Sequence, residues 1–254
     1  MLHLDNVSKY FGGLPALHEV SFHVPRGGIT ALIGPNGAGK STLINCITGV
    51  HRADSGNIQL EQASIRCAPT HVIARHGVGR TFQNLKLFGR LSVLDNVLSG
   101  LNNEAGSSMC MALLRLPYLR HRERHLKLRA LEALDNFDLT HLASHPAQIL
   151  AYGDKKRVEL ARASIGNPRL LLLDEPVAGL NATETAAVAT QLRRLHRLGQ
   201  TMLLVEHDME LVMELADQVV VLDSGEVIAC GTPAEVQRNP RVLKAYLGSM
   251  EPTA

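Results

Sequence analysis

The sequence runs to 254 residues, 45% of them apolar and 20% charged, which excludes a disordered chain and leaves one large α/β domain or two small ones. Lys+Arg at 26 against Asp+Glu at 24 give a formal net charge of +2. That near balance creates no general attraction to nucleic acid or a membrane surface, so any bound anion must be met by a local site.

Cys46, Cys67, Cys110 and Cys230 have no metal-ligand spacing and outline no disulfide framework, so reduced thiols are expected. Met1-Leu2-His3-Leu4-Asp5 lacks the basic start and apolar stretch of a signal peptide. Apolar runs fall far short of the ~20 residues that a membrane helix needs. Work at a membrane would therefore go through a partner.

Val20, Phe22 and Val24 alternate with polar residues, as in a half-buried strand. Gly28 to Ile33 reads as a buried strand, followed by a helix over Lys40–Thr48. From Leu85 to about Gln148 the pattern is helical, with Ser92 as an N-cap, Asp95 three residues on, and a break near Gly106-Ser107-Ser108. The basic stretch Arg115 to Arg129 reads as a solvated helix face, because Leu126, Leu128 and Leu131 interleave with its charges. Leu170–Leu173, Thr201–Val205 and Val219–Leu222 are buried-strand runs, the last followed by a turn at Asp223-Ser224-Gly225. Asn181 with Glu184 starts a helix that Gly199 stops. Thr232-Pro233-Ala234-Glu235 is a capping box with proline at the first helical position. Asn239-Pro240 opens a last helix, ended by Gly248. The order describes one mostly parallel α/β domain with a helical insert.

The chemistry is densest at Gly34-Pro35-Asn36-Gly37-Ala38-Gly39-Lys40-Ser41-Thr42, a nine-residue P-loop between a strand and a helix. Glycines let successive backbone N–H groups face one anion, and the helix N-terminus adds its dipole. Lys40 supplies charge to the β- and γ-phosphates, and the Ser41 hydroxyl suits Mg²⁺. Asp174, at the end of a second buried strand, suits a further Mg²⁺ contact. Glu175 beside it is placed to polarise an attacking water, which favours hydrolysis over transfer to another acceptor.

With these residues in place, nearly the whole chain resembles the nucleotide-binding subunits of ABC transporters. Thr81-Phe82-Gln83-Asn84 looks like the family's glutamine loop, and Leu150-Ala151-Tyr152-Gly153-Asp154 like its signature segment. Asp174-Glu175-Pro176 matches the end of the second phosphate-site strand, and Ala178-Gly179-Leu180-Asn181 the loop that pairs across the dimer. His207 in Glu206-His207-Asp208 matches the switch histidine. Phe11, with Tyr10 as fallback, matches the aromatic that stacks on adenine. The implied fold is α/β: a P-loop NTPase with a RecA-like, mostly parallel core, an N-terminal antiparallel β subdomain and a helical insert. Residues 1–254 would form a single ATPase domain. Residues 1–85 and 150–254 would be the nucleotide-binding core with the β subdomain, and 86–149 the helical subdomain.

The resemblance implies ATP and Mg²⁺ as ligands. Residues 34–42 would hold the phosphates, with Ser41, Gln83 and Asp174 around Mg²⁺. Glu175 would be the general base, and His207 would hold the γ-phosphate. Ala151, Tyr152 and Gly153 would complete the ATP site of an opposing subunit in a homo- or heterodimer. Membrane-spanning permease subunits and, indirectly, an extracytoplasmic solute-binding protein are the implied partners, with no nucleic acid. The implied place is the cytoplasmic face of the inner membrane.

The signature segment departs from the family's commonest form. Ala151 stands for serine, Tyr152 for glycine and Asp154 for glutamine. Aspartate favours a helix N-terminus, so Asp154 is expected to cap the helix through Lys155–Arg162 and to point away from phosphate. The Ala-Tyr-Gly form resembles the ATPases of branched-chain amino acid importers. So do Gly77 to Asn84, Thr183-Glu184-Thr185, Glu206 to Met213, and the tail Asn239-Pro240 through Ala245-Tyr246-Leu247-Gly248. Urea importers and lipopolysaccharide or lipid exporters share parts of these stretches and are the alternatives. A soluble ABC protein acting on ribosomes or DNA fits less well, since there is one phosphate loop and no sustained heptad. A regulator that no longer hydrolyses is opposed by Lys40, Asp174, Glu175 and His207.

Overall fold

The computed structural model describes residues 1–81, 85–101 and 117–247. Gln83, the expected break at Gly106–Ser108, Cys110 and the expected helix stop at Gly248 lie outside them. The chain divides into two compact units, one of Met1–Val78, Arg169–Glu175 and Leu192–Ala254, the other of Gly79–Pro168 and Pro176–Gln191.

The first unit holds two sheets. Strands β1 (Leu2–Phe11), β2 (Leu14–Val24), β4 (Ser55–Leu60) and β5 (Ala63–Ser64) form an antiparallel sheet in the order β2-β1-β4-β5. The second sheet runs β10-β9-β3-β8-β7, from β10 (Glu226–Gly231), β9 (Gln218–Asp223), β3 (Ile29–Ile33), β8 (Met202–Val205) and β7 (Leu170–Asp174). Its strands are parallel except for the β9–β10 hairpin. Uniform apolar runs suit this arrangement, because parallel strands are covered on both faces. Leu32 packs with Leu4, Val20, Leu43, Leu172 and Val205, while its neighbours Ala31 and Ile33 join Val212, Val219 and Val236 on the other side. Helix α1 (Lys40–Ile47) thus anchors through Leu43, Ile44 and Ile47 directly behind the phosphate loop.

Among the strands that the sequence reading does not delimit are β4 and β10. β4 opens on Ser55-Gly56-Asn57, which reads as a turn. β10 is a half-exposed edge, visible only as the partner that the predicted turn requires. That turn places Ser224 and Gly225 at φ 50° and 83°, suited to a tight hairpin. The predicted capping box is present: Glu235 N–H donates to Thr232 Oγ1 and the Glu235 carboxylate accepts from Thr232 N–H, opening α8 (Pro233–Gln237). The last helix, named α9, is Pro240–Leu247, and α7 is Met209–Leu215. Cys46, Cys67 and Cys230 are free thiols, and burial pushes the Cys46 thiol up to about 11, which keeps it protonated and inert. Helix α2 (Thr70–Arg75) belongs to the first unit, and β6 is Val78–Arg80.

The second unit is mainly helical: α3 (Val93–Leu98), α4 (Pro117–Asn136), α5 (Tyr152–Ser164) and the start of α6 (Ala182–Arg197). Ser92 caps α3 as expected, accepting from Asp95 N–H. Asn181 and Glu184 exchange side-chain bonds with each other's N–H groups and start α6. Helix α4 buries Ala130, Ala133 and Leu134 but leaves Leu128 56% exposed, so the leucines do not form one inward stripe. The helical pattern expected to about Gln148 gives way after α4 to short turns at Thr140–Leu142 and Ala147–Ile149.

One fully buried polar residue organises the loop before α3. Asn96 accepts from Phe88 N–H at 2.8 Å and donates to the carbonyls of Phe88 (3.0 Å) and Ser92 (2.9 Å). Asn96→Ala leaves the Phe88 N–H without this partner and should destabilise the protein by about 1–3 kcal/mol. Urea unfolding monitored by circular dichroism measures the shift; an unchanged midpoint would contradict the assignment.

Candidate functional site: a phosphate loop and a paired signature segment

The phosphate site is built where β3 runs into α1. Gly34, Gly37 and Gly39 adopt φ values of 149°, 83° and 99°, and Gly39 is the N-cap of α1. A Cβ at Gly34 would lie 2.0 Å from the Leu222 carbonyl oxygen, and one at Gly39 would lie 2.6 Å from that of Ala16. Glycine is therefore required by both backbone angle and space. The loop is tied down by Ala38 N–H to Pro35 O (3.2 Å) and Gly225 N–H to Ala38 O (3.1 Å). Asn36, Gly37 and Ser41 face solvent, while Pro35 and Thr42 are half-buried. Lys40 donates to the carbonyls of Gly34 (2.7 Å) and Pro35 (2.9 Å), so its ammonium is held across the loop's mouth. Burial lowers its pKa, and the carboxylates of Glu175 and Asp174 oppose that shift.

Those carboxylates arrive at the end of β7. Asp174 is buried and pairs in register with Val205 of β8. Glu175 has φ 49°, a left-handed conformation rare for a residue with a side chain, and its N–H donates to Val205 O at 2.9 Å. Such backbone strain clusters where a side chain must be aimed. The next residues after β8 are Glu206, fully buried, and His207, exposed. The Glu206 carboxylate accepts from His207 N–H at 3.2 Å, fixing the turn that presents the imidazole. Lys40, Asp174, Glu175 and His207 thus share the carboxyl-end edge of one parallel sheet, where α/β proteins place ligands. Ser41 and Asp174 supply hard oxygen donors, the set that Mg²⁺ prefers. Among the described residues no group of three or more His, Cys, Asp or Glu side chains forms a protein-only metal cage. Phe11 is exposed, with His51 edge-on at 5.3 Å and the Lys9 ammonium 5.3 Å from its ring centre.

The signature residues belong to the second unit. Ala151 is the N-cap of α5 and offers no side-chain cap. Tyr152 donates its hydroxyl to Ala178 O at 3.3 Å, and its ring lies so near Gly179 (φ 78°) that a Cβ there would sit 3.2 Å away. A Cβ on Gly153 would lie 2.4 Å from the Glu184 carboxylate that caps α6. Tyr152 and Gly153 are therefore packed against residues 178–184, a pairing that the sequence alone did not reveal.

Asp154 does not cap α5. It lies within the helix's first turn, and its carboxylate is ion-paired with Arg157, which also donates to Phe137 O at 3.1 Å. Ala151 already occupies the cap position, so Asp154 falls three residues in, where an i,i+3 partner is within reach. With its charge engaged by Arg157, Asp154→Gln should change the ATP turnover rate by less than about tenfold, roughly 1.4 kcal/mol. A larger change in a steady-state phosphate-release assay would contradict this.

Comparison with known proteins gives the site its family. The ABC transporter family matches residues 17–178, and the branched-chain amino acid ATP-binding cassette transporter family matches residues 226–251. The chain is 41% identical over 251 residues to the high-affinity branched-chain amino acid transport ATP-binding protein BraF of Pseudomonas aeruginosa, covering 98% of each. It is 40% identical to LivG of Salmonella typhimurium, a protein of the same description, again over 98% of each. A nucleotide-free ATP-binding cassette from an ABC transporter superposes with a TM-score of 0.83 at 33% identity, over 97% of this chain and 98% of that one. A dimeric post-hydrolysis cassette bound to ADP and Pi gives 0.77 at 26% identity, over 92% and 99%. The chain belongs to the ABC transporter family and is one of its ATP-hydrolysing, ATP-binding subunits.

Proposed function

We propose that this ATPase drives uptake of branched-chain amino acids. The observation that carries the reading is the pairing of near full-length identity to BraF and LivG with a C-terminal segment of the branched-chain type at residues 226–251. Residues 1–254 act as one ATPase domain, with 86–149 as its helical subdomain.

In this reading Phe11 stacks on adenine, and the amides of residues 34–42 receive the phosphates. Lys40 is desolvated and held by two carbonyls, so an incoming triphosphate replaces weak acceptors with charged ones. Ser41 and Asp174 would hold Mg²⁺, with Gln83 as the further ligand that the sequence suggests, and the ion would supply positive charge to offset that of the phosphates. Glu175 takes a proton from the attacking water as a new P–O bond forms at the γ-phosphorus. The bond from that phosphorus to the β–γ bridging oxygen breaks, giving ADP and inorganic phosphate. His207, steadied through its backbone by Glu206, holds the γ-phosphate during that displacement.

Ala151, Tyr152 and Gly153 face the ATP of a second ATPase subunit, identical or not. The packing of Tyr152 and Gly153 against 178–184 supports this, because it joins the two loops into one surface. No helix among the described residues is long and apolar enough to cross a membrane. In this reading the chain works at the cytoplasmic face of the membrane by docking on permease subunits, with a solute-binding protein delivering substrate from outside.

Glu175→Gln removes the base and keeps the shape. It should lower ATP turnover by about 100-fold or more while leaving ATP binding intact. Size-exclusion chromatography with ATP should then show a persistent dimer in the variant. Equal turnover in wild type and variant would remove Glu175 from the role of base.

A further inference from the structure

Phe11 is the last residue of β1 and is 44% exposed, so its ring has to be aimed by the backbone beneath it and not by a packed core. That backbone is thinly supported. β1 pairs with β4 as far as Ser8, opposite Ser55, and then runs on beside β2, with Tyr10 opposite Pro15 and Phe11 opposite Leu14. Pro15 has no N–H to give to the ladder. The register of β1 against β2 also shifts between Lys9 and Tyr10. A ring on such an end needs a further group to tie it down.

Asp54, the residue before β4, is placed to do so. Its N–H donates to the Ser8 carbonyl at 2.9 Å, and the Arg66 guanidinium donates to its own carbonyl at 2.8 Å, so its backbone is fixed on two sides. Its carboxylate accepts from the Tyr10 N–H at 2.7 Å and from the Lys9 ammonium at 3.0 Å. These bonds, the Tyr10 N–H first, hold the carboxyl below the usual carboxylate range and keep it an acceptor at neutral pH. The Lys9 ammonium in turn lies 5.3 Å from the Phe11 ring centre, within cation–π reach. An ion pair as exposed as Lys9–Asp54 contributes little by itself, so the bond to the Tyr10 N–H is the firmer tie. We propose that Asp54 is a positioning residue for adenine: it takes the place of a strand neighbour beside Tyr10, sets the direction in which Phe11 leaves β1, and holds the Lys9 ammonium near the ring. This rests on the reading of Phe11 as the residue that stacks on adenine. It gives the turn before β4 a task in recognising the base.

A brace of this kind acts on the base and not on the phosphates. Isothermal titration calorimetry of the full chain with ADP and with inorganic pyrophosphate, which has no base to stack, separates the two. Asp54→Ala should weaken ADP binding by about three- to tenfold, the range that one net hydrogen bond supports. Pyrophosphate binding should stay as in wild type, which also reports that the variant is folded. In a Phe11→Ala background the Asp54→Ala change should cost nothing further, because the residue acts through that ring. ADP binding as in wild type, equal weakening of ADP and pyrophosphate, or a further loss on top of Phe11→Ala would each overturn the brace. The underlying reading has its own control: Phe11→Ala alone must weaken ADP and spare pyrophosphate. If it does so while Asp54→Ala is silent, only the brace falls. If Phe11→Ala binds ADP as wild type does, the stacking role of Phe11 falls and the brace with it.

Discussion

The rest of the structure depends on an electrostatic constraint at Lys40. A chain with a formal net charge of +2 has no broad field with which to hold a triphosphate. It concentrates its attraction in one half-buried ammonium and a loop of backbone N–H groups. Such a loop works only if it is already in shape before nucleotide arrives, since ordering it on binding would consume affinity. Its left-handed glycines would otherwise be the most mobile part of the chain. The fold meets this by pressing the loop against fixed backbone: Leu222 at Gly34, Ala16 at Gly39, and a Gly225–Ala38 hydrogen bond between them.

The same sheet that fixes the loop also delivers the acids. Parallel pairing of β7, β8 and β3 sets Asp174, Glu175, Glu206 and His207 at one edge without a dedicated scaffold for each. The strained backbone at Glu175 and the buried Glu206 are local costs, held by the fully buried strands β3, β7 and β8. In the second unit the signature segment is organised by different means. Tyr152 and Gly153 lock to residues 178–184, and Arg157 neutralises Asp154. The unusual signature residues thus have partners of their own, and nothing in their geometry marks a decayed site.

Much of this was legible in the sequence because it rests on short-range rules. The P-loop demands glycine, lysine and serine at set positions; buried strands are continuous apolar runs; Ser92, Asn181 and Thr232 announce helix starts. What was not legible depends on residues distant in the chain. β10 is a strand only because β9 needs an antiparallel neighbour. Asn96 looks like any helix-surface polar residue until Phe88 folds back over it. Asp154 resembles a cap until the N-cap is seen to be Ala151, three residues earlier. Leu128 shows the converse: interleaving with charges suggested an inward stripe, but the helix turns it to solvent.

The central claim is that this ATP site powers the import of branched-chain amino acids. Uptake of labelled leucine, alongside labelled urea, in cells lacking the chain tests it most directly. The cells would be complemented with wild type or with Lys40→Ala, which removes the charge on which the site depends. The account predicts that wild type alone restores leucine uptake and that urea uptake is indifferent to both. Leucine uptake that never depends on the chain, or that Lys40→Ala restores in full, would contradict it.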